Sequence, residues 1–181
     1  MVAVIVACEI GFWILLGAGL ATRYLLGRPK AGAALLIGTA LVDVLTLIAA
    51  VIDLRRGATA DWSHGLAALY LGFSVAFGPT LVRWADERFA HRFAGGPPPT
   101  KPPKYGAARA RYEWILWLRA VVACAIAGAL LFGAIELVGD AERTAALGGT
   151  LGALPRIVVI WGIVAATYTV WPNSPRARRP G

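Results

Sequence analysis

Two carboxylates stand where an apolar chain has least use for them: Glu9 in the first hydrophobic run, and Asp43 near the middle of AGAALLIGTALVDVLTLIAAVID, residues 31–53. A charged carboxylate at the centre of a membrane-spanning helix costs roughly 2.5–3.5 kcal/mol on insertion scales. Such a group therefore faces other helices or water, or keeps its proton. Counted from the outer ends of their runs the two lie at similar depth, roughly 10–15 Å down at 1.5 Å per residue. With Asp53, Asp61 and His64 above them, they can line an outward-facing acidic cleft for a proton, a cation or a cationic ligand. Low dielectric and mutual repulsion oppose double ionisation, so at least one holds a proton or the pair shares a cation near neutral pH. The competing reading is structural: each acid is protonated or hydrogen-bonded and locks helix packing.

The remaining chemistry is sparse. His64 can serve as a metal ligand or a proton acceptor beside Asp61, or simply cap a helix start next to water. Cys8 and Cys124 have no CxxC or nearby His partner, so they are read as small apolar packing residues, with no disulfide and no metal site. The chain contains no HExxH, GxSxG, GxxxxGK[ST] or CxxC pattern, each of which would supply a metal cage, a nucleophile, a phosphate cradle or a redox pair. Its two histidines, His64 and His91, fall on opposite sides of the membrane by the topology below and cannot ligate a haem pair. No catalytic residue, cofactor or metal is assigned, and the balance is against an enzyme. The alternatives are a membrane enzyme acting on a lipid or lipid-linked substrate at the outer leaflet, with Glu9, Asp43 and His64 as acid and base, and a purely structural scaffold.

The elements that must position these residues are long apolar runs. Of 181 residues, 58% are hydrophobic and only 15% charged, against about 45–50% apolar in soluble domains. This is the composition of a membrane protein. The spacing predicts an all-α membrane domain of five transmembrane helices over about residues 2–22, 31–53, 65–82, 114–138 and 153–171. No Lys or Arg precedes the first run, so it is expected to stay as a span and not to be removed as a signal peptide. The first helix carries a Gly17-x-x-x-Ala21 pair, and the fourth a ladder of Ala125, Ala129 and Gly133; both suit close helix packing. In the second, Thr39, Asp43, Thr46, Ala50 and Asp53 share one face. Pro79 is expected to kink the third, which continues into water over residues 83–93 with ion pairs between successive turns. A proline-rich basic loop, 94–112, links the halves. Pro155 is expected in the first turn of the fifth helix, where its missing N–H costs little.

Charge decides orientation. With the N-terminus outside, the cytoplasmic face receives Arg23, Arg28, Lys30, Arg83, Arg88, Arg92, Lys101, Lys104, Arg109, Arg111 and the tail arginines, and the outer face only Arg55, Arg56, Arg143 and Arg156. The positive-inside rule accounts for this asymmetry and for the net charge of +8 without nucleic acid. Arg83, Arg88, Arg92, Lys101 and Lys104 are candidates for lipid head-group contact. Membrane lipids are the expected partners, with a homo-oligomer allowed.

A family resemblance covers about the first half of the chain. Glu9 with Phe12-Trp13, Val42-Asp43, Asp53-Leu54 with Gly57-Ala58-Thr59-Ala60, His64-Gly65-Leu66-Ala67-Ala68, the segment Gly72 to Gly78 and Arg83-Trp84-Ala85-Asp86-Glu87-Arg88-Phe89 resemble the YmcC-like small integral membrane proteins of bacteria. The resemblance implies a bacterial plasma membrane and transfers no catalytic residue.

Overall fold

The computed structural model describes residues 2–93 and 95–171, excepting the side chains of 2–6, 8, 9, 12, 40, 43, 46, 50 and 93. The basic tail with Arg176, Arg178 and Arg179 lies outside the described residues. The described chain forms five helices and no strand: α1 (Val2–Tyr24), α2 (Pro29–Arg55), α3 (Trp62–Phe93), α4 (Gly106–Val138) and α5 (Ala145–Val170). Among the described residues, α3, α4 and α5 are long and apolar enough to cross a membrane. Helices satisfy every backbone polar group within one segment, so they are the natural product of such runs in lipid.

Consecutive helices pack antiparallel. α1 lies along α2, α3 along α4 and α4 along α5, while α2 touches α3 and α4 more lightly. Glycines mark the closest crossings. A Cβ on Gly32 would come 2.8 Å from the Gly19 carbonyl oxygen, and one on Gly72 would run into that of Ala123. Further along, the rings of Phe73, Phe77 and Trp161 stack at 5.5 and 5.9 Å between centroids, joining α3 to α5.

The buried core gathers towards one end. Leu54 closes α2 there, against Ala60 and Ala68 before and within α3, Ala127, Leu131 and Ala134 on α4, and Leu147 and Leu154 on α5. Two loops are knitted over it. The Ala60 N–H donates to the Arg143 carbonyl at 2.8 Å, and Arg143 Nη1 donates to the Leu54 carbonyl at 2.9 Å. Gly139, at φ +67°, ends α4 in the left-handed conformation that only glycine adopts cheaply.

Several expectations are corrected. The Gly17-x-x-x-Ala21 pair is not the α1 crossing: Gly17 meets nothing within 4 Å, and contact runs instead through Gly19 and Arg23. On α4 the ladder of Ala125, Ala129 and Gly133 is not the packed stripe. Ala120, Ala123, Ala127, Leu131 and Ala134 are buried, whereas a Cβ on Gly133 would meet nothing. Two residues along a helix turn about 200°, so the face through 125 looks away from the one through 123. α4 starts at Gly106, taking Arg109 and Arg111 out of the expected loop. α5 starts at Ala145, leaving Pro155 inside it and not in its first turn. The segment before it, Ala-Ala-Leu-Gly-Gly-Thr-Leu-Gly-Ala, holds because Gly65 admits Thr150 and Gly128 admits Leu151 and Leu154.

Candidate functional site

At the end of the molecule where α2 stops and α3 begins, Asp61 forms a compact cap. Its Oδ1 accepts from the Ser63 N–H at 3.0 Å and from the Ser63 hydroxyl at 2.5 Å, and lies 2.8 Å from His64 Nδ1. The Asp61 N–H in turn points at His64 Nδ1 from 3.3 Å. This is the reciprocal logic of a capping box, with histidine at the third helical position. The Ser63 hydroxyl, then His64, hold the Asp61 carboxyl down at about 2. His64 is thus engaged in capping. Asp53 lies half-buried in the last turn of α2, its carbonyl accepting from the Arg56 and Ala58 N–H groups.

The side chains of Glu9 and Asp43 lie outside the described residues, but the backbone register between their helices is fixed. A Cβ on Gly19 would meet Leu36, one on Gly38 would meet Leu15, and Gly32 lies against Gly19 and Arg23. As the α1 number falls the α2 number rises, which carried up the hairpin brings residue 9 level with residues 42–46. Thr39, on the expected α2 stripe, is buried and donates its hydroxyl to the Leu36 carbonyl at 2.7 Å. Asp53, Asp61 and His64 all stand at the end of the bundle towards which residue 9 is offset, while residue 43 lies at the middle of α2.

The opposite end carries the cations. Arg83, Arg88, Arg92, Lys101 and Lys104 are exposed, with the Arg88 guanidinium 3.8 Å above the Trp84 ring, a cation–π stack. The expected pairing of Glu87 with Arg83 or His91 is replaced by contacts to the following loop. Glu87 Oε2 accepts from the Thr100 N–H at 3.0 Å, and His91 Nδ1 lies 3.1 Å from the Gly96 carbonyl. An extended loop offers unpaired backbone groups within reach, which win over a solvated side-chain pair worth a few tenths of a kcal/mol.

Two ion pairs at this end escaped the sequence reading. Arg23 on α1 grips Asp86 on α3 through both carboxylate oxygens, while the rings of Tyr24 and Phe89 lie 4.6 Å apart beside it. Nothing local links residues 63 positions apart. Arg109 pairs with the buried Glu113 one turn along α4 and lies 4.9 Å from the Tyr168 ring of α5; here the i, i+4 spacing was a usable signal. Deeper in, Trp117 Nε1 donates to the Val158 carbonyl at 3.0 Å, Trp114 Nε1 to Thr169 Oγ1 at 2.9 Å, and Arg119 to the Thr80 hydroxyl. Among the described residues no group of three His, Cys, Asp or Glu is gathered to hold a metal ion. Cys124 is buried with a free thiol.

Over 174 residues the chain is 40% identical to the uncharacterized membrane protein YmcC of Bacillus subtilis (strain 168), a match that covers 96% of this chain and 93% of that protein. No family model and no solved structure matches the chain.

Proposed function

The chain belongs to the YmcC family of membrane proteins, and from that premise we propose a non-enzymatic role in binding, transport or assembly, centred on Glu9 and Asp43 between α1 and α2. The protein is a single membrane domain in a bacterial plasma membrane. All five helices span, with the N-terminus outside and the C-terminus in the cytoplasm. The two acids share a proton or a cation in a polar cavity that opens outwards past Asp53, Asp61 and His64. Arg83, Arg88, Arg92, Lys101 and Lys104 rest against anionic head groups on the cytoplasmic side.

One observation carries this reading: the α1–α2 register brings two acidic positions to one level of a close-packed antiparallel pair. Two carboxyls at one depth in low dielectric favour exchange of a proton or cation over full ionisation. The orientation draws on the unequal ends, since Lys and Arg retained on one side are what positive-inside insertion selects.

The test is flux. Full-length protein is reconstituted in phosphatidylcholine–phosphatidylglycerol vesicles containing a pH-sensitive dye, and a gradient of Na⁺, K⁺ or protons is applied. The wild type is expected to move protons or a cation with a pH dependence that Glu9→Gln and Asp43→Asn each abolish while helicity is unchanged. Glu9→Asp and Asp43→Glu should be milder. Equal behaviour of all four variants and the wild type would overturn the shared site. Altered lipid structure in a deletion strain, without altered flux, would favour the lipid enzyme.

A further inference from the structure

The exposed small residues of α4 do have a neighbour of a kind. Ala129, Gly133 and Leu137 form one wall of an apolar groove of about 370 Å³, whose other wall is Leu47 and Val51 of α2, and Arg55 stands at its end. α2 and α4 run in the same direction, so the groove climbs both for about 12 Å, eight residues at 1.5 Å each, and finishes at the last turn of α2. Gly133 keeps it open, because a Cβ there would meet nothing within 4 Å.

We infer that this groove binds one acyl chain of an anionic glycerophospholipid, with the phosphate held by Arg55. The walls are hydrocarbon, and the polar group at the mouth is a guanidinium, which matches phosphate oxygens in a two-pronged fashion. Among the described residues Arg55 makes no ion pair, and Arg56 beside it is exposed and adds a second positive charge. Of the other arginines that the charge count places on this face, Arg143 binds Asp140 and the Leu54 carbonyl, and Arg156 stands well inside α5, away from the groove. Hydrocarbon walls that end at a guanidinium follow the order of a lipid, in which an apolar chain leads to a phosphate.

Native mass spectrometry of the full chain in detergent, titrated with phosphatidylglycerol or phosphatidylcholine, tests the site. The wild type should retain one phosphatidylglycerol per chain in preference to phosphatidylcholine. Arg55→Gln should remove that preference, about fivefold for one basic group near an anionic surface, while Arg156→Gln, an exposed arginine on α5, keeps it. Gly133→Leu, which has room for its side chain, should lose both lipids. Unchanged lipid retention in Gly133→Leu, or unchanged preference in Arg55→Gln, overturns the assignment. So does a wild-type dimer that Gly133→Leu converts to monomer, since the groove would then seat a second copy of this chain. Should Gly133→Leu fail to fold, the Arg55→Gln comparison decides alone.

Discussion

Gly162 and Trp117 illustrate how a single missing side chain sets a contact. The indole N–H reaches the Val158 carbonyl only because residue 162 lacks a Cβ, which would stand 2.9 Å from Nε1. Gly162→Ala gains about 0.5–1 kcal/mol of helix propensity, but displaces the ring and forfeits a half-buried hydrogen bond worth about 0.5–1.5 kcal/mol. The substitution is expected to lower the melting temperature in the wild type and to raise it in a Trp117→Phe background, and a thermal double-mutant cycle reads the change of sign. Asp61 offers a second case. Its carboxyl is lowered from the ordinary 3.8 to about 2, so its stabilisation is complete above about pH 4 and is lost as pH falls through 2. Removing the cap costs about 1 kcal/mol. Hydrogen exchange at the amides of residues 63 and 64 should therefore quicken severalfold in Asp61→Ala at neutral pH, stay near wild type in Asp61→Asn, and quicken in the wild type only at strongly acid pH. Capping by Asp61 or Ser63 was legible in the order of residues. The Arg23–Asp86 grip was not, because a pair closed by tertiary packing leaves no local spacing to find.

Among the elements, α4 separates what periodicity states from what it leaves open. Its sequence holds two small-residue faces, one through Ala120, Ala123 and Ala127 and one through Ala125, Ala129 and Gly133. Either satisfies the spacing for close packing. The choice fell to α3, whose Gly72 meets the backbone of Ala123 and Ala127, an event written in another helix. Helix positions were legible because runs of this length must bond internally in lipid, and α3 does run on through Pro79. The start of α5 was hidden by glycines that read as loop until their packing partners are known. Gly72→Ala should destabilise the α3–α4 pair by about 1–3 kcal/mol, the range for an overpacked contact, since backbone must move aside. Gly152→Ala, where a Cβ meets nothing, should be neutral or stabilising; chemical denaturation in detergent compares the two.

At the scale of the molecule, the two ends differ in sign. The end with Arg23, Lys30, Arg88 and Lys101 is basic, and the end with Asp53, Asp61, Asp140 and Glu142 is acidic. With Cys8 and Cys124 replaced, Thr59→Cys should be labelled by an impermeant maleimide from outside and Lys101→Cys only after the membrane is opened; the reverse pattern inverts the topology. Both positions are exposed, unlike Ala58, which packs against the core. The loops of the acidic end are joined by Arg143, which reaches a carbonyl 89 residues earlier in the chain. During synthesis at about 5–20 residues per second, Leu54 therefore emerges some 5–20 s before its partner. For that interval the turn between α2 and α3 has no lock, and the nascent first half waits for the last hairpin to arrive.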